Sequence, residues 1–163
     1  MKAALITAST LALVLTACSG KADGELNPGN WKQTVTIKSI EAPKAPPQAQ
    51  QALARMPGKT ESQESCMTAA DAKEGVKGMT KALQQGGQCE VQSFDTKGGK
   101  ITGKLACKLS SAGSSTIEMG GTYDPDHIVM TANTTEKNPQ IPGGEVVVGI
   151  EFKADRSGEC KKS

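Results

Sequence analysis

The chain has 163 residues, about the size of one domain; 36% of them are hydrophobic and only 2% are aromatic. Lysine and arginine number 19 against 17 aspartates and glutamates, so the formal net charge is +2. These values exclude a multidomain enzyme, a coiled coil and a multi-span membrane protein. They also argue against a nucleic-acid partner, which requires a basic face with interleaved aromatic residues.

The beginning of the chain has the pattern of a secretory signal. One lysine precedes an uncharged, mostly apolar run over residues 3–14, shorter than the about 20 residues that a spanning helix needs. The run leads to Leu15-Thr16-Ala17-Cys18, which resembles the lipobox of bacterial lipoproteins. That resemblance implies cleavage between Ala17 and Cys18, a diacylglyceryl group on the Cys18 thiol and acylation of the new amino terminus. Residues 1–17 are therefore interpreted as a lipoprotein signal peptide.

The cysteine count supports this interpretation over an ordinary signal peptide with a disulfide-bonded Cys18. The chain has five cysteines, and without Cys18 the remaining four suffice for two disulfides in an oxidising compartment. If Cys18 paired, one thiol would be left over. Ser19 comes next. In Gram-negative lipoproteins, which the motif resembles, an aspartate there implies retention at the inner membrane, so Ser19 favours the outer membrane, facing the periplasm.

The mature chain begins with a polar segment. Residues 18–27 include Gly20 and Gly24 and are predicted to be a lipidated, flexible tether. The folded domain is predicted over residues 28–163. Its first strand covers residues 31–37, where apolar and polar residues alternate as in a half-buried strand. The side chains expected on the inner side are Trp31, Val35 and Ile37.

A proline-rich segment and a helix follow. Residues 41–58 contain four prolines and are predicted to be an exposed loop with one or two helical turns over residues 48–56; a mobile lid or partner-binding loop is the functional alternative. Residues 60–66 are expected to form a polar edge strand. Thr68 and Asp71 form a capping-box pattern. After them, an apolar stripe at helical spacing predicts one helix that ends at Gly86-Gly87: Ala72, Val76, Met79 and Leu83.

The rest of the domain is predicted to be strands joined by short links. Residues 89–94 and 101–109 form one hairpin about Lys97-Gly98-Gly99-Lys100, and residues 116–123 and 128–133 form a second about Asp124-Pro125-Asp126. The last strand covers residues 145–153. The sequence therefore predicts a β-rich α+β domain with one helix and two disulfides. Its sheet is an antiparallel meander of about seven strands, curved or forming an incomplete barrel.

The hairpin register predicts which cysteines pair. For a turn centred between Gly98 and Gly99, Cys89 and Cys107 lie beside each other, and this leaves Cys66–Cys160. Four cysteines allow three connectivities, of which this is one. In the chain-entropy model each bridge stabilises the fold by about 3–4.5 kcal/mol. The alternative of a redox or metal role for these cysteines lacks a C-x-x-C motif.

Few residues in the sequence suggest a catalytic or metal-binding role. His127 is the single histidine, and it is expected to lie in a solvated turn. The alternative is a metal site formed with Asp124 and Asp126, which would serve a metal carrier or a metal-assisted hydrolase. Met119 and Met130 are expected to be cross-strand neighbours in the core rather than ligands of Cu(I). No nucleotide-binding or nucleophile motif occurs, so no cofactor and no catalytic residue are predicted.

Several short motifs occur in a characteristic order: Pro28-Gly29-Asn30-Trp31 at a strand start, Cys66-Met67-Thr68 before the helix, Cys89 after Gly-Gly, Cys107 at a strand end, and Arg156-Ser157-Gly158-Glu159-Cys160. Together they resemble the proteobacterial lipoprotein and periplasmic family called domain of unknown function 3617, over residues 27–160. The resemblance implies an envelope location and a cysteine-stapled, β-rich domain. It implies no activity and no catalytic residues.

The leading hypothesis from the sequence is an outer-membrane lipoprotein that acts by binding rather than by catalysis. The membrane is engaged through the lipid on Cys18, and the partner would be an envelope protein, a glycan or a lipid. Either the concave face of the sheet or residues 41–58 would recognise it. A hollow sheet interior would instead favour a carrier of small apolar ligands, as in lipocalin-like barrels.

Overall fold

The structure is a computed structural model that describes residues 21–85, 88–109 and 113–161. In this part of the chain, seven strands form one sheet. The strands are β1 (Gly29–Glu41), β2 (Thr60–Met67), β3 (Cys89–Asp95), β4 (Lys100–Lys108), β5 (Ser114–Tyr123), β6 (His127–Lys137) and β7 (Glu145–Gly158). Two α-helices, α1 (Pro47–Leu53) and α2 (Ala69–Gln85), flank β2 in sequence, and a 3₁₀ turn at Lys97–Gly99 links β3 to β4.

The strand order is β2-β1-β7-β6-β5-β4-β3, and every neighbouring pair is antiparallel. Strands β3 to β7 form the predicted meander, whereas β1 pairs with β7 and lies between it and β2. The sheet is not closed, so β2 and β3 are its edges. The predicted fold class is confirmed. The helical turns expected in the proline-rich segment form α1, which has a proline in its first turn. A backbone N–H at that position has no acceptor within the helix, so its absence removes no helical hydrogen bond.

One face of the sheet packs against α2 and the N-terminal segment. The buried cluster is Leu26, Trp31, Val76, Ile101, Ile128, Met130 and Ala154. The Trp31 ring is fully buried, and its Nε1–H donates to the Asn27 carbonyl at 3.0 Å. Phe94 and Met119 lie over Gly103, where an added Cβ would come within 3.0 Å of both side chains. The absence of a side chain at Gly103 thus makes room for two larger ones.

The interior of this face is filled. Trp31 and Leu105 are 0% exposed, and Val76 and Ile101 are 1% exposed, so these side chains are closely packed on all sides. A hollow barrel would leave such residues in contact with solvent or ligand. The packing therefore favours a solid core over the lipocalin-like alternative.

Helix α2 is interrupted at Gly75, although the sequence predicts a continuous helix. Gly75 has φ +52° and ψ −136°, a conformation that is essentially restricted to glycine. The break frees backbone groups of the helix for the N-terminal segment: the Val76 N–H donates to the Gly24 carbonyl at 3.0 Å, and the Leu26 N–H donates to the Ala72 carbonyl at 2.9 Å.

The start of α2 has the predicted capping box. The Asp71 N–H donates to the Thr68 hydroxyl oxygen at 3.2 Å, and the Thr68 N–H donates to the Asp71 carboxylate at 3.2 Å. Each residue thereby satisfies a backbone donor at the helix end. The predicted end at Gly86-Gly87 lies outside the described residues.

The predicted tether, residues 18–27, differs from the structure at its C-terminal end. The Gly24 N–H donates to the Tyr123 hydroxyl at 2.7 Å, and the Asn27 N–H donates to the Pro125 carbonyl at 2.7 Å. Leu26 is only 3% exposed and belongs to the core. A single leucine in a polar segment forms no periodic pattern that would predict its burial. The residues that it packs against lie on α2 and on the sheet, far from it in sequence.

Both predicted disulfides are present. Cys89 lies directly opposite Cys107, and the two are bonded. The second bridge joins Cys66, near the end of β2, to Cys160, just after β7. One bridge therefore joins β3 to β4 at one edge of the sheet. The other joins β2, at the opposite edge, to the segment that follows β7.

The predicted pairing of the two methionines is wrong by two residues. Met119 lies opposite Ala132, and Met130 lies opposite Gly121. The β5–β6 turn is centred between Pro125 and Asp126, because the Asp124 N–H donates to the His127 carbonyl. This centre is one residue later than a Met119–Met130 pair requires. Both methionines still contribute to the core.

Candidate functional site at the N-terminal corner of the sheet

Three segments that are far apart in sequence meet where β1 begins and β7 ends: residues 27–31, 66–68 and 156–160. We call this region, together with the turn at residues 124–127, the N-terminal corner. Asn30 lies opposite Cys66 on one side and opposite Gly158 on the other. Three of the motifs that carry the family resemblance are thus assembled at one place in the fold.

Close backbone approach defines the corner. Gly29 has φ +143°, and a Cβ at this position would overlap the carbonyl oxygen of Gly158. Only glycine allows β1 and β7 to meet at this distance. The glycine in Pro28-Gly29-Asn30-Trp31 is therefore explained by the packing of the two strands.

Arg156 connects the segments of the corner. Its Nε–H donates to the Pro28 carbonyl at 2.7 Å, and its Nη2 pairs with the Glu159 carboxylate. The Asp126 carboxylate accepts from the Asn27 side-chain amide at 2.8 Å and lies 3.9 Å from Arg156 Nε. These groups satisfy one another, so the corner is a polar junction that fixes the start of the domain to its end.

The His127 side chain is hydrogen-bonded to the Asp124 carboxylate. Its Nδ1 lies 2.9 and 3.1 Å from the two Asp124 carboxylate oxygens. This hydrogen bond, and then the charge of Asp124, raise the pKa of His127. The pKa of Asp124 is lowered, first by the Asp126 N–H, which donates to its carboxylate. Both side chains are exposed, and together they form a surface ion pair when His127 is protonated.

The three residues of the predicted metal alternative do not converge, because Asp126 is turned toward Asn27. Within residues 21–85, 88–109 and 113–161, no group of three or more His, Cys, Asp or Glu side chains could hold a metal ion. The structure thus gives the metal carrier and metal-assisted hydrolase hypotheses no ligand set in the described chain.

The His127–Asp124 pair predicts a pH dependence. The pKa of His127 is raised above its ordinary value of about 6.5, so its stabilising contribution is complete below pH about 6.5 and is lost as pH rises through the higher folded value. NMR titration should give a pKa above 6.5 for His127, and Asp124→Asn should lower this pKa toward 6.5. Asp126→Asn is the matched control and should change it less, since Asp126 is the last of the contributing charges. An equal effect of both variants would contradict the geometry.

The proline-rich loop is packed where it leaves β1. Ala42 and Ala45 are buried, and the Gln50 side-chain amide donates to the Ala45 carbonyl at 2.8 Å. A Cβ at Gly143, in the loop before β7, would lie 2.6 Å from the Ala45 nitrogen. This part of residues 41–58 is therefore a fixed connection, which does not favour the mobile-lid alternative.

The predicted site residues fall into two groups. Cys66, Cys160, Cys89 and Cys107 are all described and paired, whereas the lipidation site Cys18 and the cleavage residue Ala17 lie outside the described residues. Sequence reasoning did not identify Asn27, Tyr123 or Arg156 as tying the chain start to the sheet. Their contacts join residues 99 to 128 positions apart, and no local pattern signals such contacts.

No helix in the described part of the chain is long and apolar enough to cross a membrane. The fold and the corner define a class of protein: an open antiparallel sheet with one packed face, in which a disulfide joins β2 to the segment after β7 and Arg156 contacts the segment before β1. The family described as "Protein of unknown function (DUF3617)" matches residues 26–160, and the chain belongs to this family. No curated protein and no solved structure matches the chain significantly.

Proposed function

We propose that the protein is a lipoprotein of the outer membrane, anchored through Cys18, whose periplasm-facing domain acts by binding an envelope component rather than by catalysis. The pairing of the cysteines carries the proposal. Of the five cysteines, four form the two disulfides, so Cys18 is left for another chemistry. Two structural disulfides also favour an oxidising compartment, and Cys18 stands at the end of the lipobox pattern.

The packing of the N-terminal segment sets how far the domain can reach from the anchor. Gly24 is held to the sheet by Tyr123 and to α2 by Val76. Gly24 is six positions after Cys18 in the sequence, and an extended chain of that length spans at most about 20 Å. The N-terminal corner would therefore stay close to the bilayer surface, and a partner must be reachable from there.

The scaffold supports a binding role. Its core is filled, two disulfides hold its edges, and the groups of the N-terminal corner are engaged with one another. The single histidine is exposed and paired with a carboxylate, an arrangement that provides charge at a surface. A rigid surface of this kind suits recognition, since little conformational entropy is lost when a partner binds.

Intact mass measurement of the protein purified from membranes tests the anchor. We expect a mass that lacks residues 1–17 and includes a diacylglyceryl group and an amide-linked acyl chain, because stable anchoring requires at least two lipid chains. Cys18→Ser is the control and should carry no lipid. A mass that still includes Met1, or a trimmed chain without lipid, would contradict the proposal.

The choice of membrane is tested separately by Ser19→Asp. Separation of inner and outer membranes should place the unchanged protein in the outer membrane and move the variant to the inner one. Ser19→Thr is the matched control and should leave the distribution unchanged. If all three proteins fractionated with the inner membrane, the outer-membrane assignment would be wrong.

A further inference from the structure

The edge formed by β2 differs from the opposite edge of the sheet. Within the described residues no strand pairs with the outer side of β2, and every residue of Thr60–Met67 except the last is exposed. The β1–β2 register runs over eight residue pairs without a shift. By contrast, β3 has a register shift between Val91 and Ser93, and α2 contacts it. The edge of β2 is therefore long and regular, with neither bulge nor proline to block pairing.

The hydrogen-bonding pattern shows which backbone groups point outward. The Ile37 N–H donates to the Lys59 carbonyl at 3.0 Å, and Thr36 lies opposite Thr60. Hydrogen-bonded and non-hydrogen-bonded pairs alternate along an antiparallel ladder. The residues whose N–H and C=O groups face away from β1 are therefore Thr60, Ser62, Glu64 and Cys66.

Side-chain contacts and a disulfide fix the position of the β2 edge. Hydroxyl pairs join Thr34 to Ser62 at 3.1 Å and Thr36 to Thr60 at 3.0 Å, and the Cys66–Cys160 disulfide fixes the far end of the strand. The edge is thus preorganised, which reduces the entropy lost when another strand adds to it.

A groove beside the edge offers side-chain contacts on the inner face of the sheet. It is lined by Gln33, Val35, Glu61, Ser62 and Gln63. Val35 shares the face of the buried Trp31 but is 39% exposed, contrary to the predicted burial of this side chain. Glu61, which lies opposite Val35, has no hydrogen-bond or ion-pair partner among the residues that the structure describes. The groove therefore combines an exposed apolar side chain with an unpaired carboxylate.

We propose that the free edge of β2 is a strand-addition site that binds an extended, basic segment of a partner protein. The strand contains Glu61 and Glu64 and no basic residue, so a lysine- or arginine-bearing segment complements its charge, whereas a second copy of β2 would bring like charges together. This inference names the partner class for the binding role proposed above and depends on that role.

The test uses the full-length protein purified from membranes in detergent and a fluorescent octapeptide of alternating lysine and threonine. We expect the peptide to bind, with affinity that falls as salt is raised, and a glutamate–threonine octapeptide not to bind. Ser62→Pro removes an outward N–H without removing a β1–β2 hydrogen bond and should weaken binding about tenfold. Ser62→Ala loses the same hydroxyl but keeps the N–H, so it should bind like the unchanged protein.

Charge is tested without a backbone change. Glu61→Gln with Glu64→Gln should weaken binding several-fold at low salt, whereas Glu90→Gln on the opposite edge should have no effect. No binding of the basic peptide, or equal binding by Ser62→Pro and Ser62→Ala, would overturn the inference. So would a dimer that Ser62→Pro disperses, since a second copy would then occupy the edge. A failed peptide test with a lipidated Cys18 would leave the anchor proposal intact.

Discussion

Gly75→Ala is expected to lower the free energy of unfolding by about 3–5 kcal/mol. A Cβ at this position would overlap the Gly24 carbonyl oxygen, and the backbone would have to keep φ +52°, which costs about 1–3 kcal/mol in a residue with a side chain. The N-terminal segment would be displaced from α2. Leu26 would then no longer be buried, and its burial stabilises the fold by about 2 kcal/mol.

Gly78→Ala is the matched control in the same helix. A Cβ there would meet only the Glu74 Cβ at 3.2 Å, and alanine favours a helix over glycine by about 1 kcal/mol. Its stability should therefore stay within about 1 kcal/mol of the unchanged protein in urea unfolding. If the two alanine variants unfolded at the same urea concentration, the N-terminal segment would not be seated in the helix break.

Removing the Cys66–Cys160 disulfide is expected to destabilise the protein more than removing Cys89–Cys107. The first bridge closes a sequence separation of 94 and the second one of 18. In the chain-entropy model these loops correspond to about 4.7 and about 3.2 kcal/mol. Replacing both partners of each bridge with alanine should therefore give losses that differ by about 1.5 kcal/mol.

The two double variants serve as controls for each other, because each removes two cysteines and one bridge. Urea unfolding of both under identical conditions measures the difference directly. A larger loss from Cys89→Ala with Cys107→Ala would show that restricting the unfolded chain is not the dominant effect. Each variant also keeps both partners of the other bridge, which limits mispairing.

Local and short-range patterns in this sequence predict much of the fold. Alternation predicts the strands of the β3–β4 hairpin, and a turn of glycines places Cys89 beside Cys107 because only 18 positions separate them. Thr68 and Asp71 predict the start of α2 because a capping box lies within one turn. The order of the short motifs predicts the family over residues 27–160, and the family matches residues 26–160.

Predictions that needed a precise turn or a distant partner were less accurate. The Asp124–His127 turn is centred one residue later than the predicted register requires, so Met119 and Met130 each pair two residues away from the expected position. The burial of Leu26 depends on contacts with α2 and the sheet, and Val35 is exposed although it shares the face of the buried Trp31. Neither position has a local feature that distinguishes it.

Residue alternation, short separations and cysteine number are sufficient to predict the β-rich class, the positions of most strands, the helix cap and the two disulfides. Three features cannot be predicted in this way: β1 inserts between β2 and β7, the N-terminal segment enters the break at Gly75, and three motifs meet at one corner. These features arise from hydrogen bonds and packing between segments about 25 to 130 residues apart, and such contacts become visible only when the whole sheet is assembled.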